Sequence, residues 1–174
     1  RSPRAIAFGN NHFVVVNEEA IAGSTTPDVT VINAVTFVTT HLALTSGAIP
    51  IAVNFVNNNM FGVVSYTGEV FVVNTNVSPP VLLGNVNVGV GAIAIAGGDP
   101  FPPSFAVTHT GSVNSVIMDD TNAVVAQINF TTAATGEESV AFGRDRFAIN
   151  GAVDRMFEVD CIGTAESLHK IHSA

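Results

Sequence analysis

Asn10, Asn11, Asn58, Asp99 and Asp145 stand in short polar gaps between apolar runs, with Asn57, Asn59 and Arg144 beside them. Amide and carboxylate oxygens in such numbers suit a hard cation, and calcium is the one cofactor they suggest. The same residue types are what a tight turn selects, because Asn and Asp bond their own backbone and tolerate positive φ. Turn formation is the reading preferred for them, with ligand binding at these loops as the functional expectation. Five histidines are present. His12 and His41 belong to different runs with no carboxylate pattern nearby. His169 and His172, three apart, fall on opposite faces of a strand, and His109 ends a run where sister runs carry Asn17 and Ser65. All are read as structural or surface residues. The single Cys161 allows no disulfide within the chain and reads as a small semi-buried side chain. There is no G-x-S-x-G, no P-loop and no dinucleotide fingerprint, since "VGVGAIAIAGG" lacks the glycine spacing and a following helix. No catalytic residue and no metal centre is expected.

The elements that must position these residues are set by an unusual composition. Of 174 residues, 47% are apolar and only 11% charged, where about 25% is usual. Asn, Thr, Ser and Gly must then supply the wet surface. The net charge is −8, and every Arg and Lys is either Arg1, Arg4 or within residues 144–170. No basic stripe can be built from the middle of the chain, which excludes a nucleic-acid partner and docking on anionic lipid. The uncharged stretch between Glu69 and Asp99 holds Asn74, Asn76, Pro79, Pro80, Asn85 and Asn87, too polar for a membrane span. The sequons at Asn76 and Asn129 read as chance in an Asn-rich chain. Opening on "RSPR" without Met, the chain reads as a processed or excised segment.

Repetition organises the rest. "FVVVN", "FGVVS", "FAVTH" and "FAING" are led by Phe13, Phe61, Phe105 and Phe147, separated by 48, 44 and 42 positions. Before each comes "AIAF", "AVNF", "AIAG" or "VAF". After each comes "VTVIN", "VFVVN", "SVIMD" or "MFEVD", and then "TFVTTHLAL", "VLLGNVNV", "AVVAQINF" or "SLHKIH". Each run is short, rich in Val, Ile, Phe and Thr, and bounded by Gly, Asn, Asp or Pro, as a strand is. Runs such as "FVVV" barely alternate, as expected where both faces of a sheet are covered. "TG" at Thr67-Gly68 and Thr110-Gly111 suits tight hairpins. No sustained helical period occurs, and "GTAESLHKIHSA" is assigned to the final outer strand. The spacing matches propeller blades.

"FAVTH" followed by "SVNSVIMDDTNAVVAQI" resembles the YVTN-type β-propeller repeat, in which a Tyr/Phe-Val-Thr-Asn-like second strand leads to a V-V-D third strand and a V-V-x-x-I fourth. Residues 92–131 match best, and the resemblance extends over nearly the whole chain. It implies an all-β fold: one β-propeller domain over 1–174, with four four-stranded antiparallel blades near 1–46, 47–90, 91–136 and 137–174. Because an open arc leaves oily flanks in water, the ring is expected to close as four blades, through further chain, or through a second copy in a homodimer. Gathering all positive charge near the two ends would set opposite signs at such a seam.

The functional expectation is a non-catalytic interaction or structural module, with a protein partner or self-association, no nucleic acid and no membrane insertion. The resemblance implies an exported or cell-surface protein. The alternative is an enzyme of the lactonase or dehydrogenase-associated propeller type with its site at the central channel. Against it, the first strands supply only Asn54 as a polar group.

Overall fold

The computed structural model describes the backbone of residues 2–18, 26–56, 59–98, 104–109, 114–119, 124–129, 137–143, 146–151, 155–160 and 167–172. Side chains are described over 2–18, 26–56, 59–98, 105–109 and 139–141. Within these limits the chain is all strand. The first sheet holds β1 (Pro3–Gly9), β2 (His12–Asn17), β3 (Asp28–Asn33) and β4 (Thr39–Ala43). The second holds β5 (Pro50–Phe55), β6 (Met60–Ser65), β7 (Glu69–Asn74) and β8 (Val81–Asn87). The third holds β9 (Ala92–Gly98), β10 (Ser104–His109), β11 (Asn114–Asp119) and β12 (Val124–Asn129). The fourth holds β13 (Glu137–Gly143), β14 (Arg146–Gly151), β15 (Arg155–Asp160) and β16 (Ser167–His172). In every sheet the strands pair antiparallel in sequence order. The run "SLHKIH" is a strand, as its place in the repeat requires.

Local chemistry explains the reversals. Asn10 and Asn11 sit at φ of 43° and 57°, so Gly9 and His12 face each other across a two-residue turn whose twist matches the strands it joins. Gly68, at φ 99°, closes the hairpin after β6, its N–H donating to the Ser65 carbonyl at 2.9 Å.

Strand alternation then sorts the side chains into two packed layers. Val14, Val16, Val29 and Val31 of the first sheet meet Val53, Phe61, Val63, Phe71 and Val73 of the second. The opposite face of the second sheet, through Val64, Val70 and Val72, meets Ile95, Phe105 and Val107 of the third. The second sheet is thus covered on both sides, which is why its strands read as unbroken apolar runs. Phe61 and Phe105 point back at the preceding sheet. Phe105 fits over Gly62, where an added Cβ would overlap its ring. The first strands pack in succession, β1 on β5, β5 on β9 and β9 on β13, while β4 and β8 are the most exposed strands of their sheets. The sheets therefore fan out from their first strands. Among the described residues, β1 and β13 are not packed together in the way successive first strands are.

One strand is shorter than its sequence suggests. "TFVTTHLAL" is expected to be extended throughout, yet β4 begins at Thr39. The cause is Asn33, whose Oδ1 accepts from the Val35 and Thr36 N–H groups, each at 2.9 Å. Its carbonyl accepts from Phe37 N–H at 2.8 Å, and Phe37 is forced to φ 58°. A side chain offering the backbone an alternative partner competes with the ladder.

Candidate functional site

The turns after the first strand and after the third strand of a sheet lie on one rim, and hydrogen bonds stitch them together. In the first sheet the Asn11 carbonyl accepts from Ala34 N–H at 2.7 Å. In the second, the Asn59 carbonyl accepts from both the N–H and the hydroxyl of Thr75, each at 2.9 Å, and Asn59 Nδ2 donates to Asn76 Oδ1 at 2.9 Å. Of the rim residues singled out from sequence, Asn10 and Asn11 form the tight turn described above. Asn58, Asp99 and Asp145 lie outside the described residues. Among the described residues, no group of three or more His, Cys, Asp or Glu comes together.

Between the two stitched corners is a cleft of about 440 Å³. One wall comes from His12, Asn33, Thr36 and Val38, the other from the 75–80 turn. None of its described lining residues is Asp, Glu, Lys or Arg. Its polar floor has a defined proton arrangement. His12 Nδ1 lies 2.8 Å from the Asn10 carbonyl, which can only accept, so Nδ1 carries the proton and donates. Nε2 is then the acceptor for Asn33 Nδ2 at 3.3 Å. Asn33 cannot be turned over, because its oxygen already holds two backbone N–H groups. The 34–38 turn holds Val35, Phe37 and Val38 out to water, Phe37 at 76% exposure, with Val77 exposed on the facing turn. Such a cluster of large apolar side chains on one turn is not ordinary surface.

The sequence missed this feature, since "TFV" reads as strand. The signal was Asn33 itself, an Asx-type residue placed where a turn could form.

A second polar group corrects the expectation for His41, which does have a carboxylate beside it. His41 Nδ1 is 3.6 Å from Asp28 Oδ2 and 3.1 Å from Thr30 Oγ1. Asn17 Nδ2 donates to Asp28 Oδ1 at 2.7 Å and to Thr30 Oγ1 at 3.0 Å. Asn17, Asp28 and Thr30 are buried. The pairing of Thr30 with His41 across β3 and β4 creates the cluster, and register is what a linear reading lacks. A nucleophile, base and acid relay needs hydroxyl and carboxylate on different ring nitrogens. Here both face Nδ1. The second sheet repeats the arrangement with other residue types: Glu69 begins β7 as Asp28 begins β3, and Asn85 Nδ2 donates to Glu69 Oε1 at 2.7 Å. Thr45, from the connection between these sheets, donates its hydroxyl to the same carboxylate at 2.9 Å and 3.0 Å. An acid bound to a fourth-strand side chain is a recurring brace within the sheet. The polar stops Ser65 and His109 are likewise buried, and Ser65 Oγ accepts from Ile49 N–H at 2.8 Å.

No family model and no curated protein matches the sequence. Solved structures do. Streptogramin B lyase aligns over 99% of this chain and 55% of its own, with TM-score 0.72 and 7% identity. The Cps50 (Swd1) β-propeller domain of Myceliophteria thermophila aligns over 99% and 59%, with TM-score 0.66 and 8% identity. YCF48 bound to D1 peptide aligns over 97% and 52%, with TM-score 0.63 and 11% identity. The fold is that of a β-propeller, and the chain spans little more than half the length of these structures. Among the described residues, no helix is long and apolar enough to cross a membrane.

Proposed function

We propose that the chain is a non-catalytic β-propeller module, built from YVTN-type blades, that binds an extended and uncharged apolar segment of a protein partner at the rim between its first two sheets. The observation that carries this reading is Phe37. A turn that spends positive φ on an aromatic residue and leaves it in water holds it ready for something else to cover. The cleft lined by Thr36 and Val38 of the same turn falls in the usual size range of ligand sites, about 300–1,000 Å³. Its described walls carry no ionised side chain, so a charged ligand would lose hydration without gaining a partner. The solved structure of YCF48 with a peptide supports the plausibility of peptide capture on this fold. The sparse lysine and the Asn- and Thr-rich exterior support an exported or surface-exposed setting.

The test is selection of neutral apolar peptides from a display library, followed by titration against Phe37→Asp and Val38→Asp. Enriched peptides should lose about tenfold or more in affinity to either variant. Failure to enrich any, or indifference to both variants, rejects the reading.

A catalytic reading is favoured only by the Asp28, Thr30 and His41 group, and its ring-nitrogen geometry speaks for a brace. Asp28→Asn should lower the melting temperature and leave peptide affinity unchanged.

A further inference from the structure

The cleft between the first two sheets is selective about the backbone it can hold. Every main-chain N–H from Asn33 to Val38 is already spent: Asn33 on the Val38 carbonyl, Ala34 on the Asn11 carbonyl, Val35 and Thr36 on Asn33 Oδ1, Phe37 on the Asn33 carbonyl and Val38 on Thr36 Oγ1. On the facing turn the Thr75 and Asn76 N–H groups go to the Asn59 carbonyl and to Asn74 Oδ1, and Pro79 and Pro80 have none. No two alternate residues of either turn therefore keep an N–H to give. A guest strand pairs through N–H and C=O groups offered in alternation, and these turns do not offer them.

Side chains carry the donors instead. Asn33 Oδ1 is occupied twice, His12 Nε2 is taken by Asn33 and Asn76 Oδ1 by Asn59. Asn33 Nδ2 has two hydrogens and gives one to His12. Among the described residues the other has no acceptor, nor do the hydrogens of Asn76 Nδ2 or the hydroxyls of Thr40 and Ser78, all of which belong to residues lining the cleft. Val31, Val38, Val77, Pro79 and Pro80 make the apolar part of that lining.

The guest that matches shows carbonyl oxygens outward, carries no charge and has few N–H groups to leave without a partner. A polyproline II segment meets all three conditions, since its carbonyls are bonded to nothing within the chain and proline has no N–H. Its preset φ also lowers the ordering cost of binding. Proline-rich segments dock on aromatic side chains, and Phe37 is an exposed aromatic ring on this turn. We infer that the segment captured at this cleft is proline-rich and bound as polyproline II, its carbonyls accepting from Asn33 Nδ2 and Asn76 Nδ2. The inference rests on the rim reading above and names the chemistry of the partner.

The experiment titrates the 174-residue chain by calorimetry with a capped oligoproline of about ten residues and with a capped Ala/Thr peptide of equal length. Oligoproline should bind about tenfold tighter or more. Asn33→Asp and Asn76→Asp keep an oxygen that holds each turn and delete the donor hydrogens. Each should weaken oligoproline binding about threefold to tenfold while the melting temperature stays near that of the wild type, which a purely structural role would not allow. Equal affinity for the two peptides, or oligoproline binding indifferent to both variants, overturns the inference. Neutral display peptides that enrich without proline, together with unbound oligoproline, overturn it and leave the rim reading intact. No enrichment and no oligoproline binding reject both.

Discussion

At the scale of the residue, the rim depends on one amide. Asn33 holds two turn N–H groups through its oxygen and His12 through its nitrogen, so Asn33→Ala strands all three. Its loss should lower stability by about 1–3 kcal/mol and abolish peptide capture, measured by thermal melting and by titration. Asn33→Asp keeps a side-chain oxygen that accepts from both N–H groups and should recover the turn. The Arg4 and Glu18 pair is different in kind. The hydrogen bond from Arg4 Nε, at 2.6 Å, holds the Glu18 carboxyl below its ordinary value. What that pair adds is present above the ordinary carboxylate range and is lost as pH falls through the lowered value. Water and salt surround both side chains, so Glu18→Gln should leave the melting temperature unchanged within error.

At the scale of the element, the seams between sheets carry the energy. Phe61→Ala and Phe105→Ala empty fully buried sites and should each cost about 3–5 kcal/mol by denaturant unfolding. Gly62→Val drives a side chain into the Phe105 ring and should cost about 1–3 kcal/mol or more. Much of this level was readable from sequence. The Phe-led runs, the Asn-Asn turn and the Thr67-Gly68 hairpin are local signals, and local chemistry decides them. The Asp28, Thr30 and His41 brace and the start of β4 were not readable. The first depends on which residue of β3 faces which residue of β4, and the second on a side chain outcompeting a ladder. Both are settled by partners distant in sequence or by a balance of similar energies. The cleft was half legible: Asn10 and Asn11 marked the correct rim, while Phe37 passed for a strand residue.

At the scale of the whole molecule, the fan of sheets fixes which loops share a rim, and composition fixes what that rim can attract. Excess calcium is expected to leave the melting temperature where a chelator leaves it, since Asn10 and Asn11 are spent on a turn. A rise of several degrees would instead assign the rim a cation. At the joint of the first two sheets Gly9 makes room for the Phe55 ring, and at the next joint Gly97 makes room for Val56. Repeats this alike invite shuffling, by recombination of the gene or by mispairing during folding. Exchange the second with the third, and Gly9 would meet Gly97 across a hole. The bulk of one amino acid thus marks the place of the third unit directly behind the second, where Gly97 leaves room for Val56.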